Sequence, residues 1–218
     1  IVHYRAQAGQ DYTLSGNGVL LLDSGAHYRS GTTDITRTFY FSEVGQPVDA
    51  DLVRKASLVL AAHCQLALAV FPADTNGVQL DAICRSPLWA EGLDFGHGTG
   101  HGVGHILSVH EGPVSISKRG QLVLKKGHIL SNEPGYYEEG QFGIRHETLV
   151  HVTAAHEGYL KFETLTCFPF DRQLIDKAYL SSQHIAWLNA YHHSVYERLA
   201  PHLETDVRQW LADRCAPL

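Results

Sequence analysis

The first forty residues carry the hydrophobic pattern of two paired strands. Residues 18–23 form a continuous apolar run that ends in an acid, which is typical of a strand buried on both faces. Residues 34–41 alternate apolar and polar positions, as a half-buried strand does. The segment 25–31 between them begins and ends with glycine and predicts a turn. We therefore expect an antiparallel hairpin at this end of the chain.

Helical periodicity follows the hairpin. Residues 48–71 repeat apolar positions every three or four residues, which predicts a helix buried along one face. Pro47 and Pro72 border this segment and are expected to mark its start and its end. A second helix is expected over about residues 76–91 on the same pattern.

Short strands dominate the middle of the chain. Residues 96–104 are too rich in glycine for the interior of a helix or strand, so we expect a loop there. Short apolar or alternating runs predict four strands after this loop, at 122–124, 128–131, 142–152 and 159–168. We expect the last two of these strands to pair with each other.

The tail returns to helical periodicity and completes the fold class. It predicts helices over about 175–199 and 205–214, with Trp187 and Trp210 as packing anchors. No linker or low-complexity stretch divides the chain. The order strands, helices, strands, helices predicts an α+β fold in which helices cover a curved antiparallel sheet.

Composition excludes several classes of function. The 218 residues are 44% hydrophobic, with 17 basic and 23 acidic side chains and a net charge of −6. This balance argues against nucleic-acid and membrane-surface partners, which require clustered positive charge. No apolar run reaches the about 20 residues that span a bilayer. The four cysteines lie far apart, so we expect reduced thiols in a cytoplasmic protein.

Two segments of the sequence place ionisable side chains beside apolar residues or glycines. Asp23 ends one strand and Asp34 begins the next, and two such carboxylates repel each other unless a cation binds both. Alternatively, each aspartate caps a turn. Residues 97–104 place His97 and His101 among four glycines, which lets the backbone approach a ligand closely. The alternative for this segment is a flexible surface loop.

Two glutamates complete the candidate set. Glu133 follows a predicted strand, and Glu147 lies within another, where alternation places Arg145 on the same face. A solvated turn for Glu133 and an exposed strand face for Glu147 are the alternatives. Two aspartates, two glutamates and one histidine suit a pair of divalent ions better than a single tetrahedral zinc. Carboxylates can also bridge two metals about 3.5–4 Å apart.

The order of these motifs resembles a known superfamily, the pita-bread metallopeptidases. Within it, the chain is most similar to the catalytic domain of the Xaa-Pro aminopeptidase family, and the similarity covers nearly the whole chain. The motifs are Leu21-Leu-Asp23-Ser-Gly, Asp34-Ile-Thr-Arg-Thr, His97-Gly-Thr-Gly-His101-Gly-Val-Gly, Asn132-Glu133-Pro-Gly-Tyr-Tyr and Gly143-Ile-Arg-His-Glu147. Five separate motifs in order are a strong signal where one would be weak.

The resemblance implies a ligand set for two divalent ions, with manganese as the expected metal and zinc or cobalt as alternatives. Asp34 and Glu147 would bridge the ions, Asp23 would complete one site, and His101 with Glu133 would complete the other. Catalytic roles are implied for Glu133 as proton shuttle, His3 and His97 in shaping the proline pocket, His110 at the oxyanion and Arg145 beside Glu147. His146, which departs from the family pattern, is expected to point away from Glu147.

The implied reaction is hydrolysis of the bond between an N-terminal residue and a following proline, through attack by a hydroxide held between the two metals. A prolidase that cleaves Xaa-Pro dipeptides, or another peptidase of the fold, is the alternative within the superfamily. A catalytically inactive member acting as a binding module is the alternative from another class.

The resemblance also implies a pita-bread fold that is truncated at its N-terminus. We expect residues 1–168 to form the catalytic domain, without its first helix and strand, and residues 169–218 to form its C-terminal helical extension. The partners expected are peptides with proline at the second position, a second copy of the chain in a homodimer, and the missing N-terminal domain of the same protein. Without those parts, the 218 residues are expected to hold the ligands yet to be unstable or inactive alone.

Overall fold

Two antiparallel pairings organise the strands that carry the candidate residues. The computed structural model describes residues 7–9, 13–42 and 46–218. Its strands and helices, in chain order, are β1 (Asn17–Tyr28), β2 (Gly31–Ser42), α1 (Ala50–Ala67), β3 (Val70–Pro72), α2 (Gly77–Trp89), β4 (Gly100–His101), β5 (Ser115–Ile116), β6 (Ile129–Asn132), β7 (Gly135–Glu138), β8 (Phe142–Arg145), β9 (Thr148–His156), β10 (Tyr159–Thr164), α3 (Ser182–Leu199) and α4 (Thr205–Cys215).

All the strand pairs are antiparallel. β1 and β2 form a long hairpin, which confirms the first prediction. A second sheet has the order β3-β10-β9-β6, and β4 pairs with β5 and β7 with β8. The predicted pairing of the last two strand segments is therefore also confirmed, through β9 and β10.

The hairpin differs from the prediction in its burial and its turn. β1 continues to Tyr28, so the turn is only two residues long, and Gly31 beyond it has a φ of +148° that favours glycine. The expectation that β1 is buried on both faces is wrong, since Leu22 is 50% exposed. In the described part of the chain β1 pairs with β2 alone; Val19 packs against the hydrophobic core, whereas Leu22 lies on the opposite face, which is open.

Helix ends depart from the periodicity in two places. α1 ends at Ala67, and Val70 and Phe71 instead pair with β10, because the residue before a proline disfavours helical backbone. The helix predicted from 175 begins at Ser182, since two short 3₁₀ turns precede its Ser181 cap. α2 begins as expected, where Asn76 and Gln79 form a reciprocal capping box.

Two predicted strands also change. The segment 122–124 forms no strand; Val123 makes only an isolated bridge to Asn76. The run 142–152 is interrupted at residues 146 and 147, which separate β8 from β9. The predicted anchor Trp210 is 42% exposed, so only Trp187 packs against the core.

Two hydrophobic cores meet at α1. One lies between α1, α2 and the sheets and includes Val59 and Leu80; the other lies between α1, α3 and α4 and includes Leu60 and Leu188. Among the described residues, no helix has the length and apolar character to cross a membrane. The division of the chain at residue 168 stays a prediction.

The α2 core contact can be tested by substitution. Leu80→Ala, at a fully buried position, is expected to lower the free energy of unfolding by about 2–5 kcal/mol, because it leaves a cavity in the first core. Urea unfolding monitored by circular dichroism measures this loss. The control Ile83→Ala lies in the same helix at a 36% exposed position and is expected to cost less than about 1 kcal/mol. Equal losses would contradict this account of the core.

Candidate metal centre

The hairpin brings the two aspartates to one face. Asp23 is opposite Thr36 and Asp34 is opposite Gly25, so the two carboxylates are diagonal neighbours on the same side of the pair. Both lie inside strands, which excludes the turn-capping alternative. Asp34 is 8% exposed, whereas the side chain of Asp23 is 48% exposed.

The glycine-rich loop lies tightly against β6. A side chain at Gly100 would place its Cβ 2.0 Å from the carbonyl oxygen of Ser131, so only glycine permits this approach. The backbone N–H of His101 then donates to the Ser131 hydroxyl at 2.9 Å. The predicted close approach is confirmed, and the surface-loop alternative is wrong because Thr99 and Gly100 are buried.

A buried ion pair in α2 holds the same loop. Arg85 Nε donates to Asp81 at 2.8 Å, and its other nitrogens donate to the carbonyl oxygens of Phe95 and His97 at 2.7 and 2.6 Å. The Thr99 hydroxyl donates to the second carboxylate oxygen of Asp81 at 2.6 Å. The backbone around His97 is therefore tied to α2 from both sides.

The two glutamates approach from the other strands. Glu133 directly follows β6; its N–H donates to Thr99 O at 2.8 Å and its Oε1 accepts from the Ser131 hydroxyl at 3.0 Å. Glu147 lies at the break between β8 and β9, and its Oε2 accepts from the Thr36 hydroxyl at 2.8 Å. Glu147 is 2% exposed, which excludes an exposed strand face.

The structure brings all five candidate donors together. His101 Nε2 lies 3.3 Å from Glu133 Oε1 and 3.6 Å from Asp34 Oδ2. Donor atoms within 4.8 Å of one another form three overlapping groups: Asp23 with Asp34 and Glu147; His101 with Glu133 and Glu147; and Asp34 with His101 and His110. Glu147 belongs to the first two groups, so it lies between two places where a cation could bind.

Two observations test whether these donors fit metal ions. The ring of His101 directs Nδ1 to the carbonyl oxygen of Gly102 at 2.9 Å, so Nδ1 carries the proton and Nε2 has a free lone pair. This Nε2 is buried and finds no hydrogen-bond partner in the described part of the chain. It faces carboxylate oxygens, which are acceptors too, and acceptors that face each other require a cation or a shared proton between them. The donor set therefore fits divalent cations.

The proton affinity of the carboxylates leads to the same conclusion. Burial, with the nearby Asp23 charge, raises the pKa of Asp34 to about 6, and burial raises the pKa of Glu133 to about 8. Burial and the neighbouring Glu133 and Asp34 charges raise the pKa of Glu147 well above its usual range. Burial lowers the pKa of His101, which keeps its ring neutral. These shifts express the cost of burying several carboxylates beside one another, which bound divalent cations would offset.

A hydrogen-bonded chain borders the donors. Arg145 Nη2 donates to Asp23 Oδ2 at 2.7 Å, its Nη1 donates to the Tyr137 hydroxyl at 2.9 Å, and that hydroxyl contacts His97 Nε2 at 2.8 Å. Arg145 Nε also donates to the Thr36 hydroxyl at 3.1 Å. Arg145 thus reaches Glu147 through Thr36. Sequence reasoning assigned no role to Thr36 or Tyr137, although both lie inside the motifs.

The remaining predicted residues divide into three cases. His110 is exposed, and its ring centroid lies 4.2 Å from that of His101. His146 is buried against Phe170 and belongs to none of the donor groups, as expected. His3 lies outside the described residues.

A cavity of about 210 Å³ opens in front of the donors, lined by Asp23, His97, Gly98, Gly100, His101, His110, Glu133 and Arg145.

Comparison with known families decides the relationship. The profile of metallopeptidase family M24 matches residues 1–154, and the profile of the C-terminal region of peptidase M24 matches residues 158–218. The chain belongs to metallopeptidase family M24. This membership confirms the resemblance inferred from the motifs.

Curated relatives match along the whole chain. Aminopeptidase P2 of Arabidopsis thaliana is 46% identical over 228 residues, covering 100% of this chain and 32% of the relative. A probable Xaa-Pro aminopeptidase P of Pyrenophora tritici-repentis is 43% identical, covering 100% and 38% respectively. The chain therefore spans about a third of the length of these relatives.

Solved structures support the pita-bread fold. The X-prolyl aminopeptidase of Caenorhabditis elegans, described as a cytosolic enzyme with a di-nuclear active site, matches with a TM-score of 0.86 and 41% identity, over 92% of this chain and 34% of its own. A prolidase of Pyrococcus furiosus matches with a TM-score of 0.57 and 33% identity, over 68% and 41%. The predicted α+β pita-bread fold is confirmed. The chain spans about a third of the length of the Caenorhabditis elegans enzyme.

Metal binding by this M24 chain is expected to depend on pH. Ions must displace the protons held by Glu133 and Glu147, so Mn²⁺ affinity should rise from about pH 6 to about pH 8, by up to about tenfold per unit for each proton displaced, whereas Asp34 has lost its proton above about pH 6. The lowered pKa of His101 keeps its ring neutral here, so it adds no further proton to displace. Calorimetric titration in buffers of different ionisation enthalpy counts the protons released.

Glu133→Gln provides the control, because it removes the acid whose pKa is about 8. The rise in affinity between about pH 6 and pH 8 should then become shallower, while the part that comes from Glu147 persists. A wild-type affinity that does not change with pH would contradict the proton-displacement account.

Proposed function

We propose that the protein containing this chain is a Xaa-Pro aminopeptidase that uses two divalent metal ions. The observation that carries the proposal is the pair of donor groups sharing Glu147, in a chain similar over its whole length to aminopeptidases P. A single ion held by either of these groups would leave the carboxylate of Glu133 or of Asp34 without a cation. Retention of all five donors also argues against an inactive binding module.

The metal assignment follows the donor groups. Asp23, Asp34 and Glu147 would hold one ion, and His101, Glu133 and Glu147 would hold the other, with Asp34 near enough to His101 to help hold the second ion too. Four carboxylates and one imidazole suit manganese, with zinc or cobalt as alternatives. When bound, two such ions supply Lewis acidity and lower the pKa of a water molecule, which provides the nucleophilic hydroxide of the implied reaction.

Glu133 is proposed to move the proton in this reaction. Its Oε1 is held by the Ser131 hydroxyl and lies at the cavity wall, so its position is fixed before substrate binds. Burial gives this carboxyl a high proton affinity, which suits transfer of a proton from water to the departing proline nitrogen. That nitrogen lacks an N–H in the peptide and must gain a proton to leave.

The other cavity residues are proposed to bind and orient the substrate. His110 is exposed at the rim, where its imidazole can donate to the carbonyl oxygen that becomes negative. His97, held by the Tyr137 hydroxyl, is proposed to shape the proline pocket together with His3. Arg145 would fix Asp23 through its 2.7 Å contact, so its role is to position a metal ligand.

A prolidase is the second candidate, since solved prolidases and an Xaa-Pro dipeptidase from Bacillus anthracis also match. The dipeptidase match has a TM-score of 0.59 over 70% of this chain, against 0.86 over 92% for the Caenorhabditis elegans enzyme. The aminopeptidase is therefore favoured. A cytoplasmic location is proposed from that enzyme's description as cytosolic and from four free cysteines. The homodimer and a further N-terminal domain stay predictions.

Substrate length separates the two candidates. Full-length, Mn²⁺-loaded protein is expected to release arginine from Arg-Pro-Pro at least about tenfold faster, in kcat/KM, than from the dipeptide Arg-Pro. Chromatographic assay of free arginine measures both rates. Cleavage of the dipeptide alone would establish the prolidase, and two bound Mn²⁺ ions without cleavage of either peptide would refute both candidates.

Removal of the proposed proton shuttle tests the mechanism. Glu133→Ala is expected to lower kcat by at least about 10²-fold, because it removes both a proton acceptor and a metal donor. Glu139→Ala is the matched control: it removes an exposed carboxylate from the turn of the following hairpin and should leave kcat within about twofold. Full activity of Glu133→Ala would disprove the assignment.

A further inference from the structure

Arg37 is a buried guanidinium beside the candidate metal centre. It is 2% exposed, and the Phe170 ring centroid lies 4.2 Å from its Cζ. Among the described residues its hydrogen-bond acceptors are all neutral: Thr36 O at 2.9 Å, Glu147 O at 2.5 Å, Pro169 O at 3.2 Å, Phe168 O at 2.7 Å and the Tyr191 hydroxyl at 3.0 Å. These acceptors come from four separate parts of the chain.

The position of Arg37 coincides with a gap in the sheet. Glu147 lies between β8 and β9, where regular strand hydrogen bonds are interrupted. Its N–H donates to Thr36 O at 3.0 Å, and its carbonyl oxygen accepts from Arg37. Because Thr36 also holds the Glu147 carboxylate, residues 36 and 37 hold Glu147 through its N–H, its carbonyl oxygen and its carboxylate.

The C-terminal region holds Arg37 in turn. Tyr191 of α3 accepts from Arg37 Nη2 and from the N–H of Phe168 at 3.3 Å, and its hydroxyl can donate to Phe168 O at 2.9 Å. Its ring stacks on Trp187 with a centroid separation of 5.2 Å and an angle of 3°. Removing a guanidinium from water is costly, so a buried arginine needs acceptors in fixed positions for its N–H groups. Tyr191 and the Phe168 carbonyl oxygen supply two of them for Arg37.

We propose that Arg37, held by Tyr191, is a positioning residue for Glu147, and that α3 thereby takes part in forming the metal centre. The inference rests on the proposed function only in taking Glu147 to be a metal ligand. Partners that orient a ligand commonly contribute about 10–100-fold to metal affinity when removed. Among the described residues, no hydrogen bond or ring contact joins Tyr191 to any of the five donors, and its contact with Arg37 leads directly to Glu147.

The test uses the full chain and measures Mn²⁺ affinity and stoichiometry by calorimetry. Tyr191→Phe keeps the ring and removes only the hydroxyl, and it is expected to weaken Mn²⁺ binding about tenfold while two ions still bind. Arg37→Lys, which cannot serve five acceptors, is expected to weaken it further. Tyr196→Phe is the matched control, since Tyr196 lies in the same helix but is not among the hydrogen-bond partners of Arg37.

Each outcome decides a separate question. Weaker Mn²⁺ binding in Tyr191→Phe, with Tyr196→Phe unchanged, supports the inference. Equal affinity in Tyr191→Phe and wild type overturns it, as does an equal loss in both tyrosine variants. Wild-type protein that binds two Mn²⁺ ions but cleaves no Xaa-Pro peptide would refute the proposed function, while the calorimetric comparison would still decide the role of Arg37.

Discussion

Mutual repulsion among carboxylates is the constraint around which this molecule is arranged. Asp23, Asp34, Glu133 and Glu147 converge within a few ångströms, and three of them have pKa values raised by burial and by one another. Left to relax, such side chains would separate or stay protonated. The fold holds these side chains close together. The free energy of cation binding would offset the repulsion between them.

Rigid neighbours provide that restraint, and they do so largely without neutralising the acids. Of the four carboxylates, Asp23 alone forms an ion pair with an arginine among the described residues. The others are held by hydroxyls and backbone groups, from Thr36 and Ser131 for example. Nearby arginines act on the main chain instead: Arg85 fixes the loop before His101, and Arg37 fixes Glu147. Negative charge thus remains available for metal ions.

Much of this arrangement could be predicted from the sequence, because short motifs are local. The presence of the hairpin and the glycine-dependent approach were accessible from residue type and order, and the identities of the converging donors from the resemblance of the motifs. The break at Glu147 was not, since it depends on Thr36 and Arg37, more than 100 residues away in the chain. Tyr137 was missed for a similar reason: its hydroxyl gains a role only through partners on other elements. The burial of β1 was misjudged because apolar runs do not reveal which neighbours cover them.

The position of α1 between two cores has a wider consequence. Small side chains such as Ala56 face one core and Ala61 the other, and both are almost fully buried. A volume change on either side of this helix therefore displaces atoms on the opposite side, since closely packed interiors transmit strain. The C-terminal helices and the sheets that carry the acidic residues both pack on α1. Substitutions in one region therefore limit which substitutions the other region tolerates.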